Sequence, residues 1–362
     1  MPRNKNQHFV PQFYLKNFST DKKSIASFLI EAENLLSCVS IKNQCSKDYF
    51  YPDLEYEKNL GKFEERCRGV INEVVSGRKE SFTRDDMFWL RAFTVLQKSR
   101  TLHEAHVVRN AFEDIRQYLR SEKMDDKLKS TVESFENSER DVVAILSMSF
   151  KTGMAMTGDL CCKILTYDGK GSFLTSDDPV FMYNPFLESR GKMSYGVAAL
   201  GVILFLPLSD RHAVVLYDGN IYKIGQKKKQ VVVFDNPDDL YWLNLLTVLN
   251  AEKSVFFKPG TFDQPSLTDL VRKAKSTGQS KGMKQEVLEA EDGRSELIHS
   301  YTENFNIGAR FSFIKTLDKA RSIEFGSTIS VTDYTRPYCN TLSMLQERPP
   351  AKIAPMTYRR KK

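Results

Sequence analysis

No run of eighteen apolar residues occurs in this 362-residue chain, so a membrane-spanning helix is not expected. The opening Met-Pro-Arg-Asn-Lys-Asn-Gln-His carries positive charge but no apolar segment behind it, which argues against export by a signal peptide. Six cysteines are scattered without a CxxC pair, and Cys161 and Cys162 are adjacent. That spacing argues against a shared zinc site and fits reduced thiols in a cytoplasmic protein. The chain has no GxxxxGK[ST], GxGxxG or GxSxG. The usual phosphate loop, dinucleotide fingerprint and hydrolase elbow are therefore excluded. There is no helix-turn-helix, zinc-finger or aromatic RNA-stacking pattern, and no internal repeat.

What is present suits a globular protein with a sizeable core: 41% hydrophobic and 27% charged residues. The net charge of +7 permits a polyanionic partner such as nucleic acid without requiring one. Part of that excess lies in Lys227-Lys228-Lys229 and in the basic tail at 358–362, both of which read as solvated.

The densest stretch is Gln7-His8-Phe9-Val10-Pro11-Gln12-Phe13-Tyr14-Leu15-Lys16-Asn17-Phe18. Its rings recur as on a short helix that buries one face, with an imidazole placed just before that anchor. Short strands are predicted at 24–30 and 39–41. A helix follows over about 53–75, stopped by Ser76-Gly77. Thr83-Arg84-Asp85-Asp86 is a helix start, and the helix it opens is apolar nearly all round, hence central. Helical patterning continues through 103–120 and 132–156. The period then changes to short β-type runs at 163–167, 172–175, 202–206, 212–217, 221–224 and 231–234. Asp218-Gly219-Asn220 signals a hairpin turn between two of them. A helix over 238–251 and a strand over 254–257 close the region. Residues 273–294 read as a mobile or partly helical linker, 305–317 as one more helix or strand, and the chain from Pro337 as a tail.

Several of these stretches, taken in order, resemble one family. Gln7-His8-x-Val-Pro-x-x-Tyr14-Leu15-x-x-Phe18 is similar to the opening motif of DUF4238. The acidic helix Glu57…Glu64, the Phe93…Gln97-x-x-Arg100-Thr101 helix end and Leu174-Thr175-Ser176-Asp177-Asp178-Pro179 follow, then Leu206-Pro207-Leu208-Ser209 and Leu243-Asn244. The resemblance spans about 7–257, and it is the order of these motifs that carries it. Family members commonly have proline after the Arg-Thr pair, where Leu102 stands here. The resemblance implies a shared fold and a shared polar set, with no activity attached.

The expected architecture is α+β: a helical part over about 53–162 packed on a mostly antiparallel sheet over 163–257. His8 returns to the interface, and 259–362 forms a C-terminal extension. Candidate catalytic residues are His8, Arg100, Asp177 and Asp178, with Gln7, Glu64, Gln97 and Asn244 as candidate substrate ligands. His8 suits a general base or metal ligand. An aspartate could hold a divalent metal or orient the imidazole, and Arg100 could grip a phosphate. Together they suggest a hydrolase of nucleic acid or another phosphorylated substrate, in a bacterial defence setting. The alternative is a non-enzymatic binding or adaptor protein for a polyanion or a protein partner. The same residue types also build a structural network between helices and sheet, and aspartate before proline starts turns. His103-Glu104-Ala105-His106 has spacing three, where a zinc helix needs four.

Overall fold

Tyr14 is the point at which the N-terminal motif enters the core. Its side chain is 0% exposed, and its hydroxyl lies 2.6 Å from both Thr175 Oγ1 and the Pro207 carbonyl. The carbonyl can only accept, so tyrosine donates there and accepts from threonine. The chain is described from a computed structural model covering residues 6–48, 54–101, 142–191, 194–278, 283–290, 296–303, 305–325, 334–346 and 358–360. Within these the fold is α+β, as expected, with several mostly antiparallel sheets.

Strand β1 (Asn6–His8) leads through extended Pro11 into α1 (Gln12–Leu15) and a short 3-10 turn (Lys16–Phe18). A hairpin of β2 (Ser24–Leu29) and β3 (Asn34–Ser40) follows. Then β4 (Ser46–Asp48) pairs antiparallel with β1, placing His8 opposite Ser46. Helix α2 (Leu54–Val75) ends at Ser76-Gly77, where Gly77 adopts φ 64°. Helix α3 (Arg84–Ser99) opens with a capping box. Asp86 N donates to Thr83 Oγ1 at 3.1 Å, and Thr83 N donates to the Asp86 carboxylate at 2.7 Å. Helix α4 (Val142–Met156) completes the layer. α3 touches α2 and α4 on one side and strands of the large sheet on the other. Leu90, Phe93, Val95 and Leu96 are buried there, so α3 is the central helix its sequence implied. The predicted helix at 103–120 and the His103–His106 pair lie outside the described residues.

The large sheet is built from β5 (Cys161–Tyr167), β7 (Phe181–Tyr183), β9 (Ile203–Pro207), β10 (His212–Tyr217) and β12 (Val231–Phe234), in the order β12-β5-β10-β9-β7. Only β12 and β5 run parallel. Between these strands lie β6 (Thr175–Ser176), α5 (Pro185–Glu188), β8 (Ser194–Tyr195) and β11 (Tyr222–Ile224). Next come α6 (Pro237–Asn250), capped by Asn236, and β13 (Ser254–Phe257). A second sheet has the order β3-β2-β13-β6. No helix among the described residues is long and apolar enough to cross a membrane.

Two expectations are corrected. Asp218-Gly219-Asn220 does turn the chain, with Asn220 N donating to the Asp218 carboxylate at 2.9 Å, but β11 does not pair with β10. β10 already has β5 and β9 on its two edges, so β11 pairs with β16 (Ile314–Thr316) from the C-terminal third. The stretch read as a mobile or partly helical linker carries the end of α7 (Gln264–Ser276), as a helical part would, but also the strand β14 (Met283–Ala290). β14 pairs with β15 (Glu296–Glu303).

The C-terminal third is also fastened by side chains. Buried Asp239, in the first turn of α6, accepts from Ser312 N at 2.8 Å and from the Ser312 hydroxyl. The short helix α8 (Asp318–Arg321) follows, and the predicted tail from Pro337 begins as helix α9 (Pro337–Gln346). Just before α9, fully buried Arg336 meets Asp159 at 2.9 Å and donates to the carbonyls of Val197 (2.7 Å) and Ala199 (3.1 Å).

Tyr14→Phe leaves the Pro207 carbonyl and Thr175 hydroxyl without this partner in the core. The expected cost is about 1–3 kcal/mol of unfolding free energy with the fold retained, read from denaturant midpoints. An unchanged midpoint would show that the two bonds are dispensable.

Candidate functional site

The polar residues of the first motif meet those of α2 and α3. Gln7 is buried, and its Nε2 donates to Glu57 Oε2 at 3.2 Å. Gln97, on the inner face of α3, donates from Nε2 to the Phe9 carbonyl at 2.9 Å. Its Oε1 accepts from Arg100 Nε at 3.2 Å, the meeting that a three-residue spacing allows. Arg100 Nη1 then reaches Glu64 Oε1 at 2.6 Å. One continuous line of bonds thus runs from the Phe9 backbone through Gln97 and Arg100 to Glu64, joining the motif, α3 and α2. Arg100 is 1% exposed and sits at the C-terminal end of α3, where the helix dipole favours a cation.

His8 is half-buried. Its Nε2 lies 3.0 Å from the Lys42 carbonyl. A carbonyl cannot donate, so Nε2 carries the proton and Nδ1 is the basic atom of the neutral ring. Burial holds its pKa below the ordinary 6.5. The Lys42 carbonyl and the Glu64 charge act upward, and the Arg100 charge acts downward. The Cys67 thiol is pushed up to about 12 by burial, and burial also raises the Cys45 thiol, with the charge of Asp177 adding to it. Neither thiol is a ready nucleophile at neutral pH.

Asp177, Asp178 and Asn244 have a different set of partners. Asp177 accepts from three consecutive backbone amides: Glu252 at 2.9 Å, Lys253 at 2.8 Å and Ser254 at 3.2 Å. It thereby shapes the entry to β13. Asp178 is buried, and its carbonyl accepts from Ser176 Oγ and Asn250 Nδ2, each at 2.7 Å. Asn244 receives Leu174 N at Oδ1 and donates from Nδ2 to the Ser172 carbonyl, both at 2.9 Å. Asn250, which the sequence reading missed, adds a 3.1 Å bond to the Val180 carbonyl. Its signal was there: two asparagines in the otherwise apolar Leu243-Asn244-Leu245-Leu246-Thr247-Val248-Leu249-Asn250 need partners once that helix is buried. Five of the eight candidates thus gather at the first motif, while three clamp the 172–180 segment to α6 and β13. Among the described residues, no three His, Cys, Asp or Glu side chains converge as metal ligands.

A cavity of about 950 Å³ lies elsewhere. Its walls include Phe186, Glu188, Arg190 and Tyr222 on one side, and Arg310, Phe311, Lys315 and Arg321 on the other. Four cations thus face it against a single carboxylate. No sequence motif marks it, because its two walls are more than eighty residues apart.

The family described as "Protein of unknown function (DUF4238)" matches residues 6–261. No curated protein and no solved structure matches the chain.

Two predictions follow from the polar line and the imidazole. Arg100→Met leaves Glu64 without its buried cation, and the expected loss is about 3 kcal/mol in denaturant unfolding. A loss near zero would mean that the pair does not hold α2 to α3. Burial lowers the pKa of both His8 and His212, so the unfolded chain binds their protons more tightly. Their contribution to stability is therefore complete above about pH 6.5 and is lost as the pH drops toward the lower folded-state values. Replacing His8 by Asn removes one of these contributions, so the variant's midpoint declines less than the parent's between about pH 7 and about pH 5. Parallel curves would contradict this.

Proposed function

We propose that this chain, which belongs to the DUF4238 family, is a non-enzymatic binding protein for an anionic ligand. The observation that carries this reading is the cavity with four cations facing one carboxylate. The groups a phosphodiesterase would need are engaged within the fold. Arg100 is buried against Glu64 and Gln97, and Asp177 holds three backbone amides. The net charge of +7 supports an anionic partner, with nucleic acid as one member of that class. Six cysteines without a disulfide support a cytoplasmic setting.

One observation favours the hydrolase reading. His8 is half-buried, neutral and fixed as the Nε2–H tautomer, so its Nδ1 has the character of a general base. The two readings part in a single assay with bis(p-nitrophenyl) phosphate, with and without magnesium, alongside thermal shift with inorganic pyrophosphate and heparin. The binding reading expects no turnover and a raised Tm with at least one anion. Turnover that disappears in His8→Ala, with Tm unchanged, would replace it by the hydrolase reading.

A further inference from the structure

The cavity brings together a part of the chain inside the family match and a part beyond it. Residues 185–190 and Tyr222 fall within 6–261, whereas 306–321 do not. The cations of the two walls do different work. Arg190 stacks 3.8 Å over the Phe186 ring and donates to the carbonyls of Phe186 (3.1 Å), Ala320 (3.1 Å), Arg321 (3.3 Å) and Ile323 (3.3 Å). Its donors are occupied in joining α5 to the α8 segment. Glu188 is occupied too: Oε1 accepts from Gly308 N at 2.8 Å, and Oε2 accepts from the Tyr183 hydroxyl. Tyr183 in turn accepts from Ala309 N at 3.1 Å. The one carboxylate of the lining therefore pins the loop that presents Arg310.

Arg310 and Lys315 follow from this fixed loop. Ser312, held by Asp239, stands between them, and Lys315 lies on β16, held by β11. Both are exposed, and no hydrogen bond or ion pair engages either side chain among the described residues. Among the described residues the Arg321 side chain meets only exposed Asp318, at 3.6 Å. The rings of Phe311 and Tyr222 supply apolar wall. The volume, about 950 Å³, is that of a site for a small organic molecule. Cations carried on a held backbone beside an aromatic wall suit a compact ligand with clustered negative charge and a planar part.

We propose that this cavity binds a small molecule bearing a diphosphate group, and that Arg310 and Lys315, both outside the family match, are the residues that grip it. The proposal rests on the binding reading above and names its ligand class and its site. A nucleoside diphosphate and free pyrophosphate share this chemistry. The test is isothermal titration of the full chain with ADP, with inorganic pyrophosphate and with a single-stranded decanucleotide. Each titration is repeated on Arg310→Ala, Lys315→Ala and the double variant. Since both side chains are exposed, the variants are expected to keep the parent Tm. Expected is binding of at least one diphosphate, weakened about tenfold by each single substitution and about a hundredfold by both. Tighter binding of ADP than of pyrophosphate assigns the ring wall to a base, while equal binding assigns recognition to the diphosphate alone. Diphosphate affinity unchanged in the double variant, or no diphosphate binding at millimolar concentration, would overturn the proposal. So would a decanucleotide preferred over ADP with affinity indifferent to both substitutions, although the anion-binding reading would then survive at another site.

Discussion

The fold turns on a buried tyrosine hydroxyl. Tyr14 holds the strand exit at Thr175 and the end of β9 at Pro207, and so fixes the N-terminal motif against two different sheets. A phenol in the core needs its polar end satisfied, and here that requirement positions the first motif. Phe9, Leu15 and Phe18 are buried around it, and the Phe9 carbonyl takes the Gln97 amide. The motif is thus held by apolar burial, by the tyrosine and by the Gln97–Arg100–Glu64 line.

That line explains why polar residues recur at an otherwise apolar helix end. Arg100 closes α3 and is nearly sealed from solvent, a position that calls for a counter-charge, which Glu64 supplies. Asp177 and Asn244 follow the same logic around the 172–180 segment. Each satisfies backbone groups of irregular segments that no strand or helix neighbour would reach. Residue types that read as catalytic in one dimension here also fix loops to helices. His8 stands apart, because only one ring nitrogen has a partner determined by the backbone.

The C-terminal third is more than an appendage. Asp239 reaches out from α6 to Ser312, Arg336 ties Asp159 to the approach of α9, and β16 pairs with β11. The Asp239–Ser312 bonds and the β11–β16 pairing hold residues of the cavity's second wall. Arg190 and Glu188 of the family-matching region are engaged by backbone groups of the C-terminal third, which itself presents Arg310 and Lys315 to the cavity.

By itself the sequence determined the local elements. The cap at Thr83, the stop at Ser76-Gly77 and the short β-type runs of β5, β10 and β12 depend on neighbours a few residues away. The sharing of a face by Gln97 and Arg100 was legible for the same reason. Only the tertiary structure decided who pairs with whom. β11 left the hairpin because β10 had no free edge, Asp177 turned to backbone amides at 252–254, and the cavity arose between walls distant along the chain. Periodicity reports which way a side chain faces. Edge availability, unsatisfied amides and the meeting of charges are properties of the packed chain, and no local pattern encodes them.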